Sequence, residues 1–205
     1  MGFYLDKISG NDKVAFIQKI ADVTAQMNAG GARIQAEDLA AVMHHESGFS
    51  ASITNSIGCT GLIQFCPAPW GGQAVIGKNS AELAAMSRVA QMDEVFKYYK
   101  STGLSGIRSF TDLCLSTFYP AARGEPDSFT FSASVVNANA PLFATGNTLG
   151  DYKKYLAKTF PTRFSVVTNP DLRNAVISYA ALGLVGAGVG YFFGETIRNF
   201  LTFLK

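Results

Sequence analysis

Charge is scarce in this chain. Asp, Glu, Lys and Arg make up 16% of 205 residues, against roughly 25% in an ordinary soluble domain. The balance of 17 Lys+Arg and 15 Asp+Glu leaves a net charge of +2. No basic run occurs, so the broad positive footprint of a nucleic-acid binder is excluded. Cysteine is sparse as well: Cys59, Cys66 and Cys114 form an odd set without a CxxC motif, and no redox compartment follows from them. The opening MGFYLDKISGNDK has charges at Asp6, Lys7, Asp12 and Lys13 and no apolar stretch, so no secretory leader is expected there. Asp6 stands where a myristoylation signal needs Ser or Thr. Repeats, collagen and disorder are excluded by the pattern and by 48% hydrophobic content, ample for one core.

What the chain does have is glycine, 20 residues of it, and one long apolar run. Asn174 to Gly194, NAVISYAALGLVGAGVGYFFG, holds no charge and is bracketed by Arg173 and Glu195. As a helix it is about 30 Å long, the thickness of a bilayer's hydrocarbon layer. A glycine-rich buried core helix is the alternative reading. Tyr179 and Tyr191 sit toward its ends, as interfacial aromatics do. Gly186, Gly190 and Gly194 share one face, which suits self-association through close helix pairing. Lys158, Arg163 and Arg173 before the span barely outweigh Arg198 and Lys205 after it, too little to set orientation. The expected organisation is a domain over 1–171, a single transmembrane helix over 172–195 and a short amphipathic tail over 196–205 with Ile197, Phe200, Leu201 and Leu204 on one side.

Ahead of the span the periodicity is mainly helical. Val14, Ile17, Ile20, Ala21, Thr24 and Met27 mark one face of a helix that Gly30 and Gly31 end. A second helix covers Ala36 to His45, with Glu37 and Asp38 in its first turn, where carboxylates suit the dipole, and Leu39, Val42 and Met43 as its stripe. Residues 80–100 read as one long helix bounded by Ser80 and Gly103. Ser128 to Val136 alternates like a strand but has no partner segment, so the fold class expected is all-α.

Glu46 follows Met43 by three residues and projects near the apolar stripe just before a glycine-rich turn. Desolvation there favours the neutral carboxyl, the state a general acid needs near neutral pH. Taken alone, Glu46 fits a solvated helix end better. The residues that follow change that reading. Glu46-Ser47, Phe49, Asn55, Gly58, Gly61-Leu62-Ile63-Gln64-Phe65 and Pro67 resemble the lytic transglycosylase and goose-type lysozyme domain over about 22 residues. More weakly, RVAQMDEVFKYYK and LSTFYPAA (Leu115 to Ala122) look like segments of phage tail-associated members, extending the likeness over roughly 30–155.

The resemblance implies a lysozyme-like helical fold with Glu46 at the base of a long groove for peptidoglycan glycan strands. In that family one glutamate protonates the oxygen between N-acetylmuramic acid and N-acetylglucosamine, then takes a proton from the muramic C6 hydroxyl, leaving a 1,6-anhydro sugar. A usual glycosidase needs a second carboxylate. Asp93, Glu94, Asp112, Glu125 and Asp127 hold no motif position for that role, although lysozyme-type hydrolysis stays open through a water held by another group.

The same likeness assigns Gly61, Leu62, Gln64 and Phe65 to the substrate groove, Ser47 to the substrate side of the turn after the catalytic helix, which it secures, and Asn55 to a substrate-contacting position where relatives carry Ser and where it can orient a hydroxyl or water. It makes Phe49 core rather than platform. The family's later Tyr-Asn element is degraded in SVVNANAPL: Val136 replaces the aromatic, and Asn137 or Asn139 remains as the polar contact, with Asn139 favoured. Tyr119 can supply the lost hydroxyl. Cys59 and Cys66 fall where relatives have small or apolar residues, so reduced packing thiols are the first reading and a Cys59–Cys66 bridge the second. Trp70 either stacks on a sugar or covers the core. FATGNTLGDY has only Asp151 where some relatives bind calcium, and His44-His45 lack zinc spacing, so no metal or cofactor is expected. The implied protein is a membrane-anchored peptidoglycan-cleaving enzyme, in the bacterial envelope or in the internal membrane of a phage virion; from the virion membrane an active domain without a leader can still meet its substrate. Non-enzymatic readings compete: a wall-binding or membrane-architecture protein that has lost turnover, or a lysis factor whose glycine-rich span perturbs the bilayer.

Overall fold

The computed structural model describes residues 3–68 and 71–164, and these are mainly helical, with 60% helix and no strand. The described part of Met1–Arg163 is one compact unit. The apolar run over 174–194, the tail behind it and Trp70 lie outside the described residues. Among those described, no helix is long and apolar enough to cross a membrane.

Helix α1 spans Lys13–Ala29 and buries Phe16, Ile20, Val23, Thr24 and Met27. The expected face was wrong at Ala21, which is exposed, and at its start, where Val14 is 82% exposed. Two residues are 200° apart on a helix, so turning the larger Phe16 ring inward sends Val14 out. Arg88 lies over the Phe16 ring and pairs with Asp12, sealing that end. Thr24 is tolerated in the stripe because its hydroxyl donates to the Ile20 carbonyl at 2.8 Å.

Helix α2, Ala36–Ser47, is buried almost throughout and packs on α1 and on α6, Phe110–Phe118. Its first turn is fastened by three devices. Gln35 and Asp38 form a capping box. The Glu37 carboxylate accepts the Tyr4 and Leu5 N–H groups. The Arg163 guanidinium, from α9 (Pro161–Phe164), donates to Asp38 at 2.8 Å. Both ends of the described chain are thus tied to the start of α2, and its far end carries Glu46.

The single helix expected over 80–100 is instead two: α4, Ser80–Ala84, and α5, Arg88–Ser101. Asn79 and Ser87 each cap a new start, accepting the Glu82 and Ala90 N–H groups. Before them comes α3, Gly72–Ile76, which packs on α5. The alternating stretch 128–136 forms no strand. Thr130 makes one isolated bridge to Thr148, Ser132 caps α7 (Ala133–Ala138), and Phe131 enters a ring cluster with Phe118, Phe143 and Tyr152 of α8 (Leu149–Thr159).

Candidate functional site

The site is built where α2 ends. Gly48 takes a left-handed φ of 59° and its N–H returns to the His44 carbonyl; Phe49, also left-handed at 68°, returns to Met43. A left-handed phenylalanine is unfavourable unless its surroundings hold it. Here the ring is buried edge-on to Phe16 and tilted against His44, which places Phe49 in the core, as the motif implied. This reversal fixes the direction in which the last turn of α2 presents its side chains.

Glu46 is half-buried and its carboxyl has no hydrogen-bond or ion-pair partner among the described residues. No fully buried side-chain oxygen there lacks a partner, so the Glu46 oxygens reach the surface. Burial alone pushes this carboxyl up to about 7, and no neighbouring carboxylate contributes. Its charge in turn opposes ionisation of the Tyr98 and Tyr99 phenols on α5, the Tyr152 phenol on α8 and the Cys114 thiol on α6. Glu46 therefore sits in a poorly hydrated wall of aromatic groups with an open side. Near neutral pH it exists in both protonation states, as a group that gives and later takes a proton requires.

Beside it stands the turn from Thr60 to Phe65. These two residues exchange both backbone hydrogen bonds, Thr60 N to Phe65 O at 3.0 Å and the reverse at 2.9 Å. Between them Gly61 (φ 86°) and Gln64 (φ 53°) are left-handed. The Gln64 side chain caps its own turn, donating to the Gly61 carbonyl at 3.1 Å, which leaves its oxygen unused. The Leu62 peptide is gripped at both ends. Its carbonyl accepts from the Ser47 hydroxyl at 3.0 Å, and its N–H donates to Gln91 Oε1 at 2.6 Å. Ser47 thus links Glu46's helix directly to the turn. Phe65 is buried, with its ring edge-on to Tyr98, and its carbonyl accepts from Gln73 Nε2 at 3.0 Å.

Cys59 and Cys66 flank this turn and are joined as a disulfide, so the first reading, of reduced packing thiols, is corrected for that pair. The Thr60–Phe65 pairing brings the two residues just outside it together, which sequence spacing alone does not reveal. Cys114 is the buried free thiol, pushed well above its ordinary range by burial. Asn55 is exposed and its side-chain oxygen accepts the Ile57 and Cys59 N–H groups at 3.0 Å, so it shapes the loop leading into the turn.

Asn139 is half-buried and donates to the Val135 carbonyl at 2.9 Å, whereas Asn137 is exposed. Neither is hydrogen-bonded to Glu46 or to the turn. The Tyr119 ring packs on Phe118 and Phe131. Tyr98, half-buried and within Glu46's field, donates its hydroxyl to the Ser116 carbonyl at 3.1 Å. His44 lies edge-on to Tyr4 and tilted against Phe49, and His45 packs against Phe160 with Tyr155 Oη 3.3 Å from its Nε2.

Several other carboxylates have partners of their own. Asp93 pairs with Lys19, Glu94 with Lys78, Asp127 with Lys153, and Asp112 caps α6 through Ser109 and the Arg108 N–H. Asp151 caps α8 and bonds Lys154.

Gln91, Gln73 and Tyr98 were not foreseen as parts of this site. A signal existed for Gln91: it lies four residues before Val95 and eight before Tyr99, a polar residue on an apolar stripe. Comparison of the chain with family models, with curated proteins and with solved structures finds no match.

Proposed function

We propose that this chain is a peptidoglycan-cleaving lytic transglycosylase in which Glu46 serves first as acid and then as base. The observation that carries the reading is a surface-reaching, unpartnered carboxyl raised to about 7, joined through Ser47 to a turn with the Gly-Leu-Ile-Gln sequence. Protonated Glu46 gives its proton to the oxygen bridging N-acetylmuramic acid and N-acetylglucosamine, and that bond breaks. The carboxylate then accepts the C6 hydroxyl proton as that oxygen bonds to C1, so the group ends as it began and no water is consumed. Burial alone perturbs Glu46, so among the described residues a second carboxylate near enough for a retaining mechanism is missing from its field. That favours the intramolecular hydroxyl over hydrolysis. The free Gln64 oxygen suits the acetamido groups of such a substrate.

The apolar run over 174–194 tethers the domain to a bilayer in this proposal, in a phage virion's internal membrane or the bacterial envelope, with Gly186, Gly190 and Gly194 pairing spans. A wall-binding protein without turnover is the second reading, favoured by Val136 where the motif has an aromatic residue. A gel containing peptidoglycan separates the two. Clearing by the full chain and its loss in Glu46→Gln are expected, since removing a general acid costs about 10²–10⁴-fold. Clearing that survives the substitution, or none from the wild type, favours the alternatives.

A further inference from the structure

We infer that Gln91 is a positioning residue for the Glu46 site, setting where the Gly61–Gln64 turn stands relative to the carboxyl. The inference rests on the glycan-cleaving reading for its consequence, and on geometry for its substance. Gln91 is fully buried on α5, 29 residues from the turn it holds. Its amide is used completely: Oε1 accepts the Leu62 N–H at 2.6 Å, and Nε2 donates to the Ala51 and Leu83 carbonyls at 3.0 Å each. Three segments are pinned to one planar group. They are the loop after the catalytic helix, the turn, and the end of α4.

Leu62 is the residue through which this acts. With Gln91 on its N–H and Ser47 on its carbonyl, the peptide is held between α5 and the last turn of α2. Gly61 shows how close the fit is: a Cβ there would meet Gln91 Oε1 at 2.3 Å and Nε2 at 2.7 Å. Only a residue without a side chain lets the turn approach the amide, and only a side chain that both donates and accepts satisfies the three backbone groups together. Neither the two-carbonyl, one-N–H pattern nor the isolation from water could be met by a carboxylate or an ammonium. A hydrophobic side chain of the same volume would fill the space and leave the turn free to shift by the ångström that separates productive from unproductive placement of a sugar.

The test is Gln91→Met in the full chain, which keeps bulk and removes the hydrogen bonds. The expected result is cooperative unfolding, faster exchange of the Leu62 amide proton, and a fall in kcat/KM of about 100-fold. The limb of the pH profile set by Glu46 should stay where it is, because the aromatic wall that raises this carboxyl is untouched. A variant within twofold of wild type overturns the inference, as Gln91 would then be filling space alone. Amide exchange on the unsubstituted protein guards against a variant that does not fold. Leu62 N–H exchanging only through global opening supports the grip, and exchange at the rate of exposed loop amides overturns it. If the wild type fails to cleave peptidoglycan, that failure falls on the proposed activity, and the exchange of Leu62 still decides whether Gln91 holds the turn.

Discussion

Replacing Glu46 by Gln should stabilise the protein at alkaline pH and leave it unchanged in acid. In the unfolded chain a glutamate ionises near its ordinary value of 4.5, while in the fold Glu46 holds its proton to about 7. Between these values the folded state binds more protons than the unfolded one, so rising pH removes stability until the folded carboxyl has also ionised. A gap of about 2.5 pH units at 1.36 kcal/mol per unit gives about 3 kcal/mol. The penalty is absent below pH 4.5, grows up to pH 7 and is constant above it. The substituted amide is uncharged throughout, and Glu46 has no hydrogen bond among the described residues to lose. For a domain of this size, 3 kcal/mol corresponds to roughly 6–12 °C in Tm. Thermal unfolding of both proteins at pH 4 and pH 8 measures it. An equal difference at the two pH values, or a less stable variant at pH 8, would refute the idea that the carboxyl is held in a poorly hydrated wall. Gain of stability with loss of function is what a group retained for chemistry should show.

Two further outcomes follow from the same geometry. Activity should fall about tenfold per pH unit above 7, because the acid must be protonated; burial lowers both His44 and His45 from their ordinary value, so His45→Asn should leave this limb in place, and its displacement would assign the limb to histidine. Replacing Cys59 and Cys66 by Ser opens a closed loop of about 8 residues worth about 2.5 kcal/mol by chain entropy. The turn is also held by Gln91, Gln73 and Ser47, so Tm should drop by roughly 5–10 °C while activity at 25 °C stays within a few-fold. Complete loss of activity in a folded double variant would mean that the disulfide, rather than these side chains, sets the turn.

The helices were legible because their apolar residues recur at helical spacing and small polar residues cap their starts. The chosen face of α1 was not, since both Val14 and Phe16 begin plausible stripes and only tertiary packing around Arg88 and Phe49 selects the ring. Nor was the division between α4 and α5, which turns on Ser87 capping a second start. At the site, Glu46 and the Gly61–Gln64 turn lie within one short motif and could be read together. The groups that give Glu46 its character could not. Tyr98, Tyr99 and Tyr152 come from 52 to 106 residues away in the chain, and Gln91 meets Leu62 across 29. Such contacts leave no local period. Asn55 was placed at the site by its position in the motif, while the two N–H groups its oxygen accepts come from the folded loop and leave no mark in the sequence.

Digestion of purified peptidoglycan by the full chain, followed by mass spectrometry of the released muropeptides, tests most directly whether one carboxyl does all the proton transfers. Products ending in 1,6-anhydro-N-acetylmuramic acid, each lighter by one water than a hydrolytic fragment and absent with Glu46→Gln, are expected. Fragments ending only in reducing sugars, or anhydro products that persist without the Glu46 carboxyl, would contradict it.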